Sequence, residues 1–466
     1  MNKKVILSSL ILLWLHTVTA QTILPAFFSD NMVLQQQALV SVWGMDKPGA
    51  KIYITGSWGI KATATTDEKG NWKLKLQTPV AGGPYALNIK GSKSFDFKNI
   101  LIGEVWFCSG QSNMEMPVKG FNNQPIIGSN EFILNSANDK IRFFNTPRSV
   151  SITPLYDSKG EWKSAAPENT ANVSATAYFF AKKIQSILHV PVGIIQSSWG
   201  GSSIESWMDA QSLSVFKNKI IPDTIPAINP NKTPTVMYNS MLHPYIGYTI
   251  KGVLWYQGES NIENADEYKD LFTTMIAQWR KQWQQGDFPF YFVQIAPYEP
   301  VKVNSAFLRE AQLQTMLTVK NTGMVVTMDA GEQKLIHPSN KEVVGNRLAY
   351  WALSKDYQIK GIGYSGPVYK QLEKTTDHKI IVSFDYSDLG LSSFGKTFSD
   401  FEIAGEDKVF YPAQAQIYND RKGALIVWSD SVKNPVSVRY AFKNWAVASL
   451  FNTHGLPASS FRTDNW

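Results

Sequence analysis

Between residues 99 and 360, short continuous apolar runs alternate with stretches of helical periodicity, and no other feature narrows the accessible folds so far. The runs are Val105 to Cys108, Val190 to Gln196, Lys251 to Tyr256, Phe290 to Ile295 and Gly323 to Met328. Between and after them, Ser174 to Leu188, Glu267 to Trp283 and Glu342 to Leu353 carry apolar residues at helical spacing, for example Ala175, Phe179, Phe180, Ile184 and Ile187. A strand covered on one face alternates apolar and polar residues, whereas one covered on both faces is apolar throughout. The pattern predicts an α/β unit over residues 99–362, with a doubly wound parallel sheet and helices on both faces. The flanks read differently. Residues 21–98 show short alternating runs such as Lys51 to Gly56 and Trp72 to Leu76, broken by Pro48-Gly49, Glu68-Lys69-Gly70-Asn71 and Gly82-Gly83-Pro84. Residues 363–466 return to β signals at Lys379 to Phe384, Ala424 to Ser429 and Ser437 to Ala441. Each flank is expected to be an all-β module, the first sandwich-like.

In a doubly wound sheet, ligands bind beyond the carboxyl ends of the strands. Four of the expected strand ends carry polar clusters: Ser109-Gly110-Gln111-Ser112-Asn113; Gln196-Ser197-Ser198-Trp199-Gly200-Gly201-Ser202; Gln257-Gly258-Glu259-Ser260-Asn261; and Asp329-Ala330-Gly331-Glu332 with Ile336-His337-Pro338. Taken alone, Ser112 fits a helix cap as well as a nucleophile. A serine hydroxyl needs a base, usually histidine. Of the histidines after residue 20 (His189, His243, His337, His378 and His454), only His337 follows a sheet strand and precedes a helix. Acyl transfer also needs donors for the developing oxyanion. Gly200-Gly201 permits close backbone approach, and Gln257 offers an amide at a strand end. The run Gly110-Gln111-Ser112-Asn113-Met114 is not G-x-S-x-G, so an α/β-hydrolase elbow is not supported. There is no P-loop, no G-x-G-x-x-G after a strand and no H-E-x-x-H.

These blocks resemble the sialate O-acetylesterases of the SGNH hydrolase superfamily. The resemblance spans almost the whole chain after residue 20, from Phe27-Phe28-Ser29-Asp30-Asn31-Met32-Val33-Leu34-Gln35 to Gly455-Leu456-Pro457-Ala458-Ser459-Ser460-Phe461-Arg462-Thr463-Asp464. Between them lie Gly103-Glu104-Val105-Trp106 through Met114, Trp199 to Trp207, Trp255-Tyr256-Gln257-Gly258-Glu259-Ser260-Asn261 and Ile336-His337-Pro338. The resemblance implies an SGNH-type fold with Ser112 as nucleophile and His337 as base. It implies an oxyanion hole from the Ser112 N–H, the Gly201 N–H and the Gln257 side chain, and no metal or cofactor. Family members often carry aspartate two residues before the histidine, where this chain has Leu335. The group that orients His337 is therefore Glu332, Asp329 or a main-chain carbonyl, with Glu332 the nearest upstream carboxylate. Trp199, Trp207 and Tyr256 are assigned as sugar contacts.

The resemblance makes the expected partner an O-acetylated carbohydrate, first of all an O-acetylated sialic acid, with acetylated hemicellulose or pectin as the alternative. Leu335 also keeps open a different class, a non-catalytic carbohydrate-binding protein on a decayed esterase fold. Residues 1–20 have the pattern of a signal peptide: Lys3-Lys4, an apolar run from Val5 to Leu15, then Val18-Thr19-Ala20. Export to the periplasm or the extracellular space is expected, with no membrane span. Its removal takes two lysines and lowers the formal charge from +7 to +5. That mild charge, without a basic run, argues against nucleic acid as a partner. The single cysteine, Cys108, permits no internal disulfide and reads as a small buried hydrophobe.

Overall fold

The structure, a computed structural model, describes residues 21–466. The expected signal peptide, residues 1–20, lies outside the described residues. The central sheet runs in the order Thr322–Val325, Phe290–Val293, Gly252–Tyr256, Ser94–Gly110, Val192–Ser198, Asn138–Asn145, Trp162–Ala165. All neighbours are parallel except Trp162–Ala165, which closes one edge antiparallel. The chain builds first to one side of Ser94–Gly110 and then crosses to the other, so the order reverses at that strand.

Adjacent residues of the central strand explain its unbroken apolar sequence. Trp106 packs edge-on against Phe180 of the Ala175–Leu188 helix, at 4.9 Å between ring centroids. Its neighbour Phe107 faces the other way, toward Trp279 and Trp283 of the Ala265–Trp283 helix, at 6.0 and 5.6 Å. Successive side chains of a strand point to opposite faces, so the helices cover both faces and the expected doubly wound α/β architecture is the one observed. Cys108 is buried and unpaired, and burial pushes its thiol up.

The division expected at 98/99 falls inside one continuous strand, Ser94–Gly110. Within it, residues 94–99 alternate in burial and pair antiparallel with Gly82–Lys90, and Leu101–Gly103 pair parallel with Val33–Gln35. Its second half is wholly buried between Val192–Ser198 and Gly252–Tyr256. The change of pattern at Lys98-Asn99 looks like a break in the sequence, yet only the neighbours of the strand change. Buried Arg142 secures the junction by donating to the main-chain carbonyls of Asn31, at 2.9 Å, and Asn99. Buried Glu104 adds a second tie, accepting from Gln36 at 2.6 Å and from the Tyr357 hydroxyl at 2.8 Å.

After the Lys341–Lys355 helix come two four-stranded antiparallel sheets and one short pair, Leu391–Ser392 with Phe451–Asn452. The C-terminal Ser459 and Ser460 dock these onto the central unit. Ser459 accepts from Gln294 at 2.7 Å, and Ser460 accepts from Arg309 at 3.0 Å. Burial holds the Arg309 guanidinium down to about 9. Elements of the central unit that were not anticipated include the Asn138–Asn145 strand, whose polar start hides its apolar end, the edge strand Trp162–Ala165 and the Ala306–Thr318 helix. Among the described residues, no helix is long and apolar enough to cross a membrane.

Candidate active site

Three of the four polar clusters meet because their strands end level. Gly110 pairs with Ser198 on one side and with Tyr256 on the other. The chain can turn there only because residue 110 is glycine. Its φ is +139°, and a Cβ would stand 2.1 Å from the Tyr256 carbonyl oxygen. Gln111 then donates its N–H to that same oxygen at 2.9 Å, which sets Ser112 on the first residue of the short Ser112–Glu115 helix. The fourth cluster arrives from the sheet edge on the loop before the Lys341–Lys355 helix. Asn113 joins the two: its side-chain N–H groups reach Glu259 Oε1 at 2.6 Å and the Ile336 carbonyl at 3.2 Å.

His337 Nε2 lies 2.7 Å from Ser112 Oγ, and Nδ1 lies 2.6 Å from Gln124 Oε1. An amide oxygen only accepts, so Nδ1 carries the hydrogen and Nε2 presents a lone pair to the serine hydroxyl. Burial, reinforced by the charge of Lys341, lowers the histidine to about 4. The imidazole is therefore neutral near pH 7 and able to accept a proton. Phe121 meets its ring edge-on at 5.3 Å. Phe121 and Gln124 exchange two backbone hydrogen bonds across Asn122-Asn123, and Asn123 has φ +60°. This two-residue turn presents both side chains to the histidine.

None of the three expected orienting groups holds His337. The Glu332 carboxylate accepts from the N–H of Ser339, at 3.3 Å, and from its hydroxyl, closing the loop that carries the histidine. Asp329 is engaged by Arg347 through two bonds of 2.7 and 2.6 Å. No main-chain carbonyl receives Nδ1, which is taken by Gln124. The correction is a neutral amide in place of an acid.

The oxyanion donors are also revised. Gly200 contributes no free N–H, because it donates to Glu115 Oε2 at 2.7 Å. Among the described residues, neither the Ser112 N–H nor the Gly201 N–H has a protein acceptor, and Gly201 adopts φ +73°. Gln257 does not serve as a donor. It is fully buried, and its amide N–H groups go to the Ser202 carbonyl at 3.1 Å and Asn261 Oδ1 at 2.7 Å, while its oxygen accepts from the Tyr268 hydroxyl at 2.8 Å. It anchors the loop behind Gly201 instead. Trp207 and Tyr256 are completely buried, so they are not sugar platforms. Trp207 donates to Ser202 Oγ at 3.0 Å and packs against Trp255. Trp199 is half-buried and stays available at the rim.

Beneath Ser112 lies a polar chain that sequence reasoning missed. Lys341, fully buried, donates to Asn113 Oδ1, and Asn113 donates to Glu259. The Lys341 ammonium stands 5.3 Å from the centroid of the Tyr256 ring. Burial pushes Lys341 down to about 7 and pushes Glu259 up. The only hint in the sequence is that all three residues lie in or next to the strand-end blocks. A cleft of about 760 Å³ opens elsewhere, among Asp266, Phe307, Gln314 and Arg462, and no residue of the Ser112 cluster lines it. Among the described residues, no group of three or more His, Cys, Asp or Glu side chains could hold a metal ion.

Residues 102–354 match the family model described as carbohydrate esterase, sialic acid-specific acetylesterase. The chain is similar to the sialate O-acetylesterase of Homo sapiens, 27% identical over 471 residues that cover 90% of this chain and 87% of that protein. It is likewise similar to the sialate O-acetylesterase of Mus musculus, 28% identical over 514 residues covering 94% and 93%. Among solved structures, a carbohydrate acetylesterase from Xanthomonas citri superposes with a TM-score of 0.87 at 38% identity, covering 96% of this chain and 100% of that one.

Proposed function

We propose, from the premise that the chain belongs to the sialic acid-specific acetylesterase family of carbohydrate esterases, that it removes O-acetyl groups from sialic acids by a Ser112–His337 dyad. The observation that carries the reading is the chain of contacts from Gln124 Oε1 through both nitrogens of His337 to Ser112 Oγ, at 2.6 and 2.7 Å. In this reading Ser112 Oγ attacks the acetyl carbonyl carbon while His337 Nε2 takes its proton. The negative charge on the carbonyl oxygen falls to the Ser112 and Gly201 N–H groups. The imidazolium then protonates the departing sugar oxygen, leaving an acetyl-serine and a free hydroxyl. Water gives its proton to His337 and attacks the acetyl carbon, acetate leaves, and Ser112 regains its proton. Gln124 keeps the ring in the correct tautomer throughout. It gives the imidazolium a dipole rather than a full charge, so His337 is a weaker base than one backed by a carboxylate.

The pattern of residues 1–20 supports an exported enzyme acting in the periplasm or outside the cell. Ser112→Ala should cut release of p-nitrophenol from p-nitrophenyl acetate by about 10³-fold or more with the circular dichroism spectrum unchanged. An active Ser112→Ala protein would sink the mechanism. The substrate is tested by acetate release from O-acetylated mucin against acetylated xylan. Faster release from mucin supports the sialate reading, and the reverse moves the substrate to hemicellulose. An enzyme that binds both without releasing acetate would be a carbohydrate-binding protein instead.

A further inference from the structure

The Asn138–Asn145 strand lies beside Val192–Ser198, and the loop after its carboxyl end carries Arg148. This side chain is 53% exposed, yet its position is fixed. Its Nε donates to Glu115 Oε1 at 2.6 Å, and its guanidinium carbon lies 5.6 Å from the centroid of the Trp199 ring. The other oxygen of Glu115 accepts the Gly200 N–H at 2.7 Å. Gly200 in turn abuts the nucleophile: a Cβ built there would lie 3.2 Å from Ser112 Cβ and 3.1 Å from Glu115 Oε2. One carboxylate and one glycine thus separate the guanidinium from Ser112. Among the described residues, neither terminal Nη of Arg148 has a hydrogen-bond partner.

The two terminal Nη groups are left open to a ligand at the surface. The free edge of a guanidinium is a planar pair of N–H groups that matches the two oxygens of a carboxylate. Glu115 and Trp199 have already removed most of the rotational freedom of the side chain, so less ordering is left to lose on binding. Glu115 also holds the group firmly protonated. We propose that Arg148, clamped by Glu115 over Trp199, receives the carboxylate of an acidic O-acetylated sugar at the rim of the Ser112 site. The proposal rests on Ser112 being the nucleophile, and it gives the acidic sugar a contact that a neutral xylan cannot make.

The test compares O-acetylated N-acetylneuraminic acid with the same sugar as its carboxamide, following acetate release. The wild type should favour the acid in kcat/KM by about 2- to 5-fold, the range of an exposed ion pair. Arg148→Gln should bring that ratio close to one, and Arg148→Lys, which keeps the charge but not the fork, should fall between. Raising the salt concentration should shrink the wild-type ratio, because the contact is exposed. A purely bracing role would lower both rates together and leave the ratio intact in Arg148→Gln, and that result overturns the proposal. A wild type that cleaves p-nitrophenyl acetate without favouring the acid overturns it as well. A wild type that cleaves no ester overturns the serine-esterase reading beneath it.

Discussion

Ser112 stands between two polar neighbourhoods built on opposite terms. Below it, the fully buried Lys341 and Asn113 lead to the half-buried Glu259, a chain with an ionisable group at each end. In front of it, His337 rests on the neutral, half-buried Gln124. Many serine hydrolases place the charge behind the histidine. Here the space behind the histidine is neutral, and the ionisable groups lie under the residue next to Ser112. There Asn113 ties the serine block to the Ile336 carbonyl, one residue before His337. The polar chain holds Ser112 and His337 at a fixed separation, and the neutral turn selects the histidine tautomer. Positioning and tautomer selection are carried by different parts of the site.

If so, disturbing the two neighbourhoods has different consequences. The largest effect is expected below the serine. Lys341→Met strands a buried carboxylate and should cost about 3–5 kcal/mol of stability, read from the midpoint of urea unfolding. A Lys341→Met, Glu259→Leu double variant should recover much of the loss, since apolar groups can replace two buried ionisable groups that compensate each other through Asn113 at little cost. Full additivity of the two single losses would contradict the coupling. In front of the serine, Gln124→Ala should leave stability within about 0.5 kcal/mol but lower kcat/KM on p-nitrophenyl acetate by about 10- to 100-fold through loss of the tautomer. Gln124→Glu should restore activity and raise the pH at which the histidine titrates.

The smallest effect is in the pH profile. With His337 lowered to about 4, the acid limb of kcat/KM should fall near that pH, below the ordinary histidine range. At that pH Lys341 is protonated and repels the imidazolium, so a folded Lys341→Met variant should have its acid limb moved upward. The linkage to stability has a definite sign. The unfolded chain takes up this proton near pH 6.5 and the folded chain only near 4. The contribution of His337 is therefore complete above about 6.5 and is lost as the pH falls toward 4. An acid limb at the ordinary histidine value would show that the ring is more open to water than it is in this structure.

Much of this was legible beforehand. The continuous apolar runs announced strands covered on both sides, and the polar clusters at their ends located Ser112 and His337. The rest depended on packing. Gln124 is 213 residues from His337 in sequence. It reaches the ring through the Asn122-Asn123 turn, and an uncharged amide has none of the signature by which a catalytic acid is sought. Gln257 lay at the expected strand end, but its hydrogens were already committed to Ser202 and Asn261. Trp207 and Tyr256 adjoin polar blocks as a sugar platform would. Only the packing of Trp207 on Trp255 and of Tyr256 beneath Lys341 reveals that they face inward.

The Ser94–Gly110 strand has a consequence for anyone wishing to move the catalytic unit to another scaffold. One rod of backbone is the edge of the outer β layer at its start and the spine of the inner sheet at its end, two residues short of Ser112. Severing it at 98/99 would leave the inner half without Val33–Gln35 at its side and without Arg142's grip on Asn31. The portable cassette is therefore both layers together, and a working graft has to begin upstream of Asn31.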